Sequence, residues 1–233
     1  MCIRDRSGIA GHSGRQHSGP PPMGIQIADI AGGSLHSVIG ILASVIERQR
    51  SGLGQYIDIS MTDCVVGLSS MAAAASLAGQ EKQGPEQSYL NGATFYDYYE
   101  TQDGRYLSIG SLEPQFLHGL AQILDLPIVA EKGASLATED RQVVKQAIKD
   151  KIKTQDFATW NAIFQQQDVC VEPVLKLDEA LDSQLAKDRA WVVSVPLQEG
   201  STKSEQQLAC PIKFSRSKIR YEFIGKPLGF DSL

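Results

Sequence analysis

The chain has 233 residues, of which 42% are hydrophobic and 21% charged, with a formal net charge of −5 and four cysteines. This is an ordinary globular composition with enough material for one large domain or two modest ones. Lys and Arg are scattered without a basic stripe, so neither nucleic acid nor a membrane surface is an expected partner. Cys2, Cys64, Cys170 and Cys210 form no Cys-x-x-Cys pair, which argues against a zinc site or disulfide framework and for a reducing compartment.

Residues 1–23 are rich in glycine and include Pro20-Pro21-Pro22, which predicts a ragged loop with little to bury. A short strand is predicted over Ile25–Ala28. From Ser34 to Arg50 the positions Leu35, Val38, Ile39, Leu42, Val45 and Ile46 follow helical spacing, and Gly52 suits a C-cap. Gln55 to Ser60 reads as a second strand, giving a β–α–β unit with parallel strands. Thr62 to Ala78 predicts a helix of small residues, read as a buried connector, followed by a polar loop from Gly79 to Gly92. Thr94–Glu100 and Arg105–Ile109 form a predicted hairpin about Gln102-Asp103-Gly104. Pro114 at a first helical position starts a helix to Leu124. Helices over Glu139–Ile152 and Phe157–Gln166 follow, with strands expected at Cys170–Leu175, Trp191–Val195 and Leu208–Phe214. Gln198 to Gln207 reads as a surface loop.

The longest apolar run, Val38 to Ile46, is broken by Gly40 and Ser44, so no bilayer-crossing segment is expected. Met1 to Ser7 lacks the hydrophobic stretch of a signal peptide. Asp231-Ser232-Leu233 is not the peroxisomal Ser-Lys-Leu address, and the cytoplasm is the expected location.

Two isolated acids are the candidate chemical groups. Asp29 ends the first predicted strand just before Gly32-Gly33. It is either a carboxylate tuned by helix amides to act as base, nucleophile or orienter, or an Asx turn or N-cap. Glu113 precedes Pro114 at a helix start, as a general base or as a surface acid stabilising the dipole. Gly32-Gly33 lacks dinucleotide-fingerprint spacing, and Gly11-His12-Ser13-Gly14 fails as a nucleophile elbow. His36 and His118 read as solvated. No histidine has metal-ligand spacing with an acid, although His17 could serve as a base near Asp29. Phe95, Tyr96, Tyr98 and Tyr99 suit hairpin packing or an acyl pocket.

Three stretches resemble the family III CoA-transferases, a group that includes carnitine and formyl-CoA transferases and α-methylacyl-CoA racemases. They are Gln26-Ile27-Ala28-Asp29 with its Gly-Gly helix, Arg50-Ser51-Gly52-Leu53-Gly54-Gln55-Tyr56-Ile57-Asp58-Ile59-Ser60-Met61, and Gly92-Ala93-Thr94-Phe95-Tyr96-Asp97 running on to Glu113-Pro114-Gln115-Phe116. The last is similar to the racemase branch. The resemblance implies an α/β fold: part of a Rossmann-like large domain (1–70), a smaller α+β domain (71–195) and a segment returning to the large domain (196–233).

It also implies that Asp29 is the active-site aspartate and Glu113 the second base of a racemase. No bound cofactor is implied, with coenzyme A present only as part of an acyl-CoA substrate, and the assembly would be an interlocked homodimer. The racemase histidine that precedes the aspartate in the family has no match among the 28 residues before Asp29. Met1 to Ser7 is unlike family sequence. The resemblance therefore predicts a chain truncated at its N-terminus and inactive alone.

Overall fold

The computed structural model describes residues 5–79, 84–135 and 137–225. The start Met1 to Arg4, residues 80–83 of the polar loop and the C-terminal tripeptide lie outside the described residues. Two compact units are present, Met1–Pro173 and Val174–Leu233.

In the first unit, a π-helix, Ile27–Leu35, runs directly into α1, His36–Ser51. The expected strand at Ile25–Ala28 is not formed, and neither is the one at Gln55–Ser60. A strand needs a neighbour to complete its hydrogen bonds, and neither segment has a ladder partner among the described residues. Residues 53–60 instead lie along α1. The Gln55 amide donates to Ser44 Oγ at 3.0 Å, and a Cβ on Gly40 would meet the Ile57 and Ile59 side chains.

Ile27–Ser51 is one continuous 25-residue helix, long and apolar enough by length and composition to cross a membrane. That corrects the expectation drawn from Gly40 and Ser44. Isolated Gly and Ser weaken a helix without ending it, and the helix starts at Ile27 rather than Ser34. Its apolar side is open: Ile39, Leu42 and Ile46 are all more than half exposed.

The small-residue helix is two helices, α2 (Met61–Leu68) and α3 (Ser70–Leu77), separated at Ser69. Ser60 caps α2 by accepting from the Asp63 amide at 3.3 Å. α3 is no buried connector, because none of its residues is buried.

The hairpin forms as expected, with β1 (Asp97–Glu100) antiparallel to β2 (Tyr106–Ile109). Gly104 takes the left-handed backbone of the turn, with φ +80°. Chain order continues through α4 (Pro114–Leu124), α5 (Pro127–Lys132), α6 (Thr138–Ile152), α7 (Phe157–Phe164) and β3 (Val171–Pro173). β3 adds to β2 with Ile109 opposite Val171, giving a three-stranded antiparallel sheet.

Helices α4, α6 and α7 bury apolar stripes, including Leu117, Leu120, Leu124, Val144, Ile148 and Ile152, in one core with the sheet residues Leu107 and Ile109. Trp160 enters this core with its indole N–H donating to the Ile152 carbonyl at 2.7 Å. Burial, with Asp97 nearby, pushes the Tyr99 phenol far above its ordinary range. Its O–H donates to the Phe95 carbonyl at 2.7 Å.

The second unit holds α8 (Leu177–Asp182), α9 (Gln184–Asp188) and an antiparallel ribbon of β4 (Val192–Pro196) and β5 (Ser204–Leu208). The strand expected at Leu208–Phe214 thus lies earlier, inside the segment read as a polar loop. Every β5 residue is exposed, so Ser-Glu-Gln-Gln-Leu shows none of the hydrophobic patterning that marks a core strand.

Candidate active site

Asp29 lies in the first turn of the π-helix, exposed to solvent. It is not a cap: the N-cap position is Gln26, with no side-chain hydrogen bond there. The Ser34 hydroxyl donates to the Asp29 backbone carbonyl at 3.1 Å. Among the described residues, no hydrogen bond or ion pair occupies the Asp29 carboxylate. The adjacent glycines hold this turn close to α2. A Cβ on Gly32 would stand 2.9 Å from Val65 Cγ2, and one on Gly33 would stand 3.2 Å from Met61 Sδ.

Glu113 occupies the N-cap of α4 with extended backbone, φ −70° and ψ 142°, and its side chain makes no capping hydrogen bond. Pro114 needs no N–H partner at the first helical position, and its ring disfavours helical backbone at the residue before it. The Glu113 carbonyl accepts from the Leu117 amide at 2.9 Å, which starts the helix. The carboxylate is exposed.

A short tether leads from β2 to Glu113. The Gly110 amide donates to the Cys170 carbonyl at 2.9 Å, and the Leu112 amide donates to the Gly110 carbonyl at 2.8 Å. Ser111, fully buried, donates its hydroxyl to the Val169 carbonyl. Cys170 itself adopts φ +51°, which is uncommon for a residue with a side chain. Its thiol is pushed up, first by desolvation and then by the negative charges of Glu113, Asp168 and Glu172. Cys170 therefore neighbours Glu113, a relation that nothing in the sequence signals, since residues 110–113 and 168–170 meet only through the β2–β3 pairing.

The glycine-rich start is not ragged where it meets the hairpin. Arg15 pairs with Asp97, which Lys145 also contacts at 3.0 Å. Asn91 donates to the carbonyls of His12 at 3.1 Å and Gly14 at 3.2 Å. Polar side chains replace the missing apolar contacts, which hydrophobic patterning does not reveal. Beside this clamp lies a cleft of about 1110 Å³ walled by Arg15, Tyr98, Tyr106, Arg141 and Lys149, among others. Neither Asp29 nor Glu113 lines it.

Asp29 and Glu113 thus stand on separate elements of one unit, and no hydrogen bond or ion pair joins them among the described residues. His36 is half-buried, with Nδ1 2.6 Å from the Ala31 carbonyl, whereas His118 is exposed. No group of three or more His, Cys, Asp or Glu among the described residues could hold a metal ion.

The fold is shared with a solved CaiB/BaiF family protein from Brucella suis, with a TM-score of 0.71 over 95% of this chain and 57% of that one at 23% identity. Among characterised proteins, the chain is 37% identical over 190 residues to the α-methylacyl-CoA racemase of Mus musculus, covering 81% of this chain and 49% of the racemase. It is 25% identical over 173 residues to the succinyl-CoA:glutarate CoA-transferase of Homo sapiens, covering 72% of this chain and 39% of the transferase. The matched part of the chain therefore spans about half the length of the racemase and about two-fifths of the transferase. The model of CoA-transferase family III matches residues 1–232, and on that match, with a mixed helical and antiparallel-sheet fold to accompany it, the chain belongs to CoA-transferase family III.

Proposed function

We propose that this chain supplies two carboxylates to an acyl-CoA epimerase, Asp29 serving one face of the substrate's α-carbon and Glu113 the other. One observation carries the reading. Each acid stands exposed at a helix start, and neither is spent on the capping hydrogen bond that would make it structural. The greater similarity to a racemase than to a transferase supports it.

The chemistry follows from the carbon. One carboxylate takes the α-proton, the C–H electron pair moves onto the thioester carbonyl, and the resulting enolate is reprotonated from the opposite side. Inversion needs an acid–base group on each face, and such groups contribute about 10²–10⁴-fold each. Coenzyme A takes part as the thiol portion of the substrate, and no other cofactor enters.

The open apolar side of α1 fits the same reading. We infer that it packs against the remainder of the family's fold or a second subunit in an interlocked dimer, with 1–70 belonging to the larger domain. The runner-up is CoA transfer, in which Asp29 attacks the thioester carbonyl and expels the CoA thiolate as a mixed anhydride forms; the similarity to a succinyl-CoA transferase favours it.

The test uses protein of the relatives' full length that carries this chain. Incubated in deuterated water without an acceptor acid, an epimerase incorporates deuterium at the α-carbon of a 2-methylacyl-CoA. A transferase incorporates none, requires an acceptor, and is trapped by hydroxylamine at Asp29.

A further inference from the structure

Resting on that reading, we propose that Ser111 is a positioning residue for Glu113. Between Ile109 at the end of β2 and Pro114 at the start of α4, only four residues set where the carboxylate points. Ser111 is the anchor among them. It is completely buried, and its hydroxyl donates to the Val169 carbonyl on the far side of the β2–β3 pair. The flanking backbone reinforces the anchor, with Gly110 donating to Cys170 and Leu112 turning back onto Gly110.

Gly110 packs against the hairpin closely enough that a Cβ there would stand 3.1 Å from the Tyr96 ring. The receiving segment is itself fixed, because Val169 is buried in the core and Cys170 is held in a left-handed conformation. Glu113 is therefore exposed at its carboxylate but anchored two residues before it. A base on one face of a carbon must be held within a fraction of an ångström of its proton, and misplacement by about 1 Å costs on the order of 10²-fold. Removing the Ser111 hydroxyl also orphans a buried carbonyl, so the loop is driven to find water or another partner.

The experiment compares wild type, Ser111→Ala, Ser111→Thr and Glu113→Gln in protein of the relatives' full length carrying this chain. Deuterium wash-in is followed separately for the two epimers of one 2-methylacyl-CoA, with thermal melting of each variant as the fold control. Ser111→Ala is expected to slow exchange at least about tenfold for the epimer whose hydrogen faces Glu113. Exchange of the other epimer and both KM values should stay within about twofold. Ser111→Thr, which keeps the hydroxyl, should restore most of the loss.

Equal slowing of both epimers by Ser111→Ala, or no slowing of either, overturns the proposal. If Glu113→Gln selectively silences one epimer while Ser111→Ala does nothing, only the positioning role falls. If Glu113→Gln leaves both epimers exchanging, the two-base reading falls and this proposal with it.

Discussion

Gly32 and Val65 are packed so closely that a single methyl group on Gly32 would stand 2.9 Å from Val65 Cγ2 and 3.1 Å from the Met61 carbonyl. The Gly-Gly pair after Asp29 is therefore a contact between helices, and it sets where the aspartate's turn sits. A backbone carbonyl cannot yield as a side chain can. Gly32→Ala should destabilise by about 1–3 kcal/mol. Gly40→Ala is the contrast, because its nearest neighbours are the Ile57 and Ile59 side-chain tips at 3.2 and 3.4 Å. The gain in helix propensity, about 1 kcal/mol, should offset that crowding. Thermal melts of the two variants, moving apart in this direction, check the assignment.

The neighbourhood of Cys170 can be read chemically. With its thiol raised by desolvation and by Glu113, Asp168 and Glu172, alkylation by iodoacetamide at pH 8 should be slow for so exposed a cysteine, since the thiolate is the reactive form. Glu113→Gln removes one of those charges and should speed it a few-fold, about 2–5 times. Peptide-resolved mass spectrometry supplies Cys64 and Cys210 as internal controls, whose rates should not change.

The left-handed backbone of Cys170, φ +51°, makes a further prediction. Cys170→Gly should be tolerated or slightly stabilising, whereas Cys170→Val should cost about 1–3 kcal/mol. Urea midpoints of the two variants decide it.

Asp97 holds Arg15 and Lys145 together with only 10% of its own side chain exposed. Asp97→Ala leaves both cations without that partner and should cost about 2 kcal/mol, between the values for exposed and for buried pairs. Limited trypsin digestion should then cut sooner after Arg15, as residues 12–16 come away from the hairpin.

Hydrogen bonds that favour the ionised form hold several carboxyls below the usual aspartate range. Asp103 is lowered chiefly by Thr101 and also by the Phe157 amide. Asp140 is lowered by Lys132 and Ser135, and Asp156 by Thr159 at the start of α7. A depressed folded pKa stabilises fully above the unfolded value of about 3.9 and ceases to do so as pH falls through the folded value. Urea midpoints should therefore hold steady from pH 7 to about 5 and decline below about 4. Asp103→Asn should flatten part of that decline.

Local chemistry in the sequence located what depends on neighbours along the chain. Pro114 marked the start of α4, Asp103-Gly104 marked the hairpin turn, and Val144, Ile148 and Ile152 marked the buried face of α6. Asp29 and Glu113 were legible as acids at helix starts, although periodicity could not say whether they cap. What depended on distant partners was hidden. Ile25–Ala28 is short and apolar and suits helix or strand equally until a neighbour decides. The exposed strand β5 exists only by pairing with β4. Ser111 had no signal at all, because a serine earns its place there from a carbonyl 58 residues away.

The most direct measurement is α-deuterium wash-in from each single epimer of a 2-methylacyl-CoA, with Asp29→Asn and Glu113→Gln compared in protein of the relatives' full length. If the two acids work on opposite faces, each substitution suppresses exchange of a different epimer while the fold and substrate binding persist. Exchange of both epimers undiminished in both variants would contradict the assignment of these residues as the two bases.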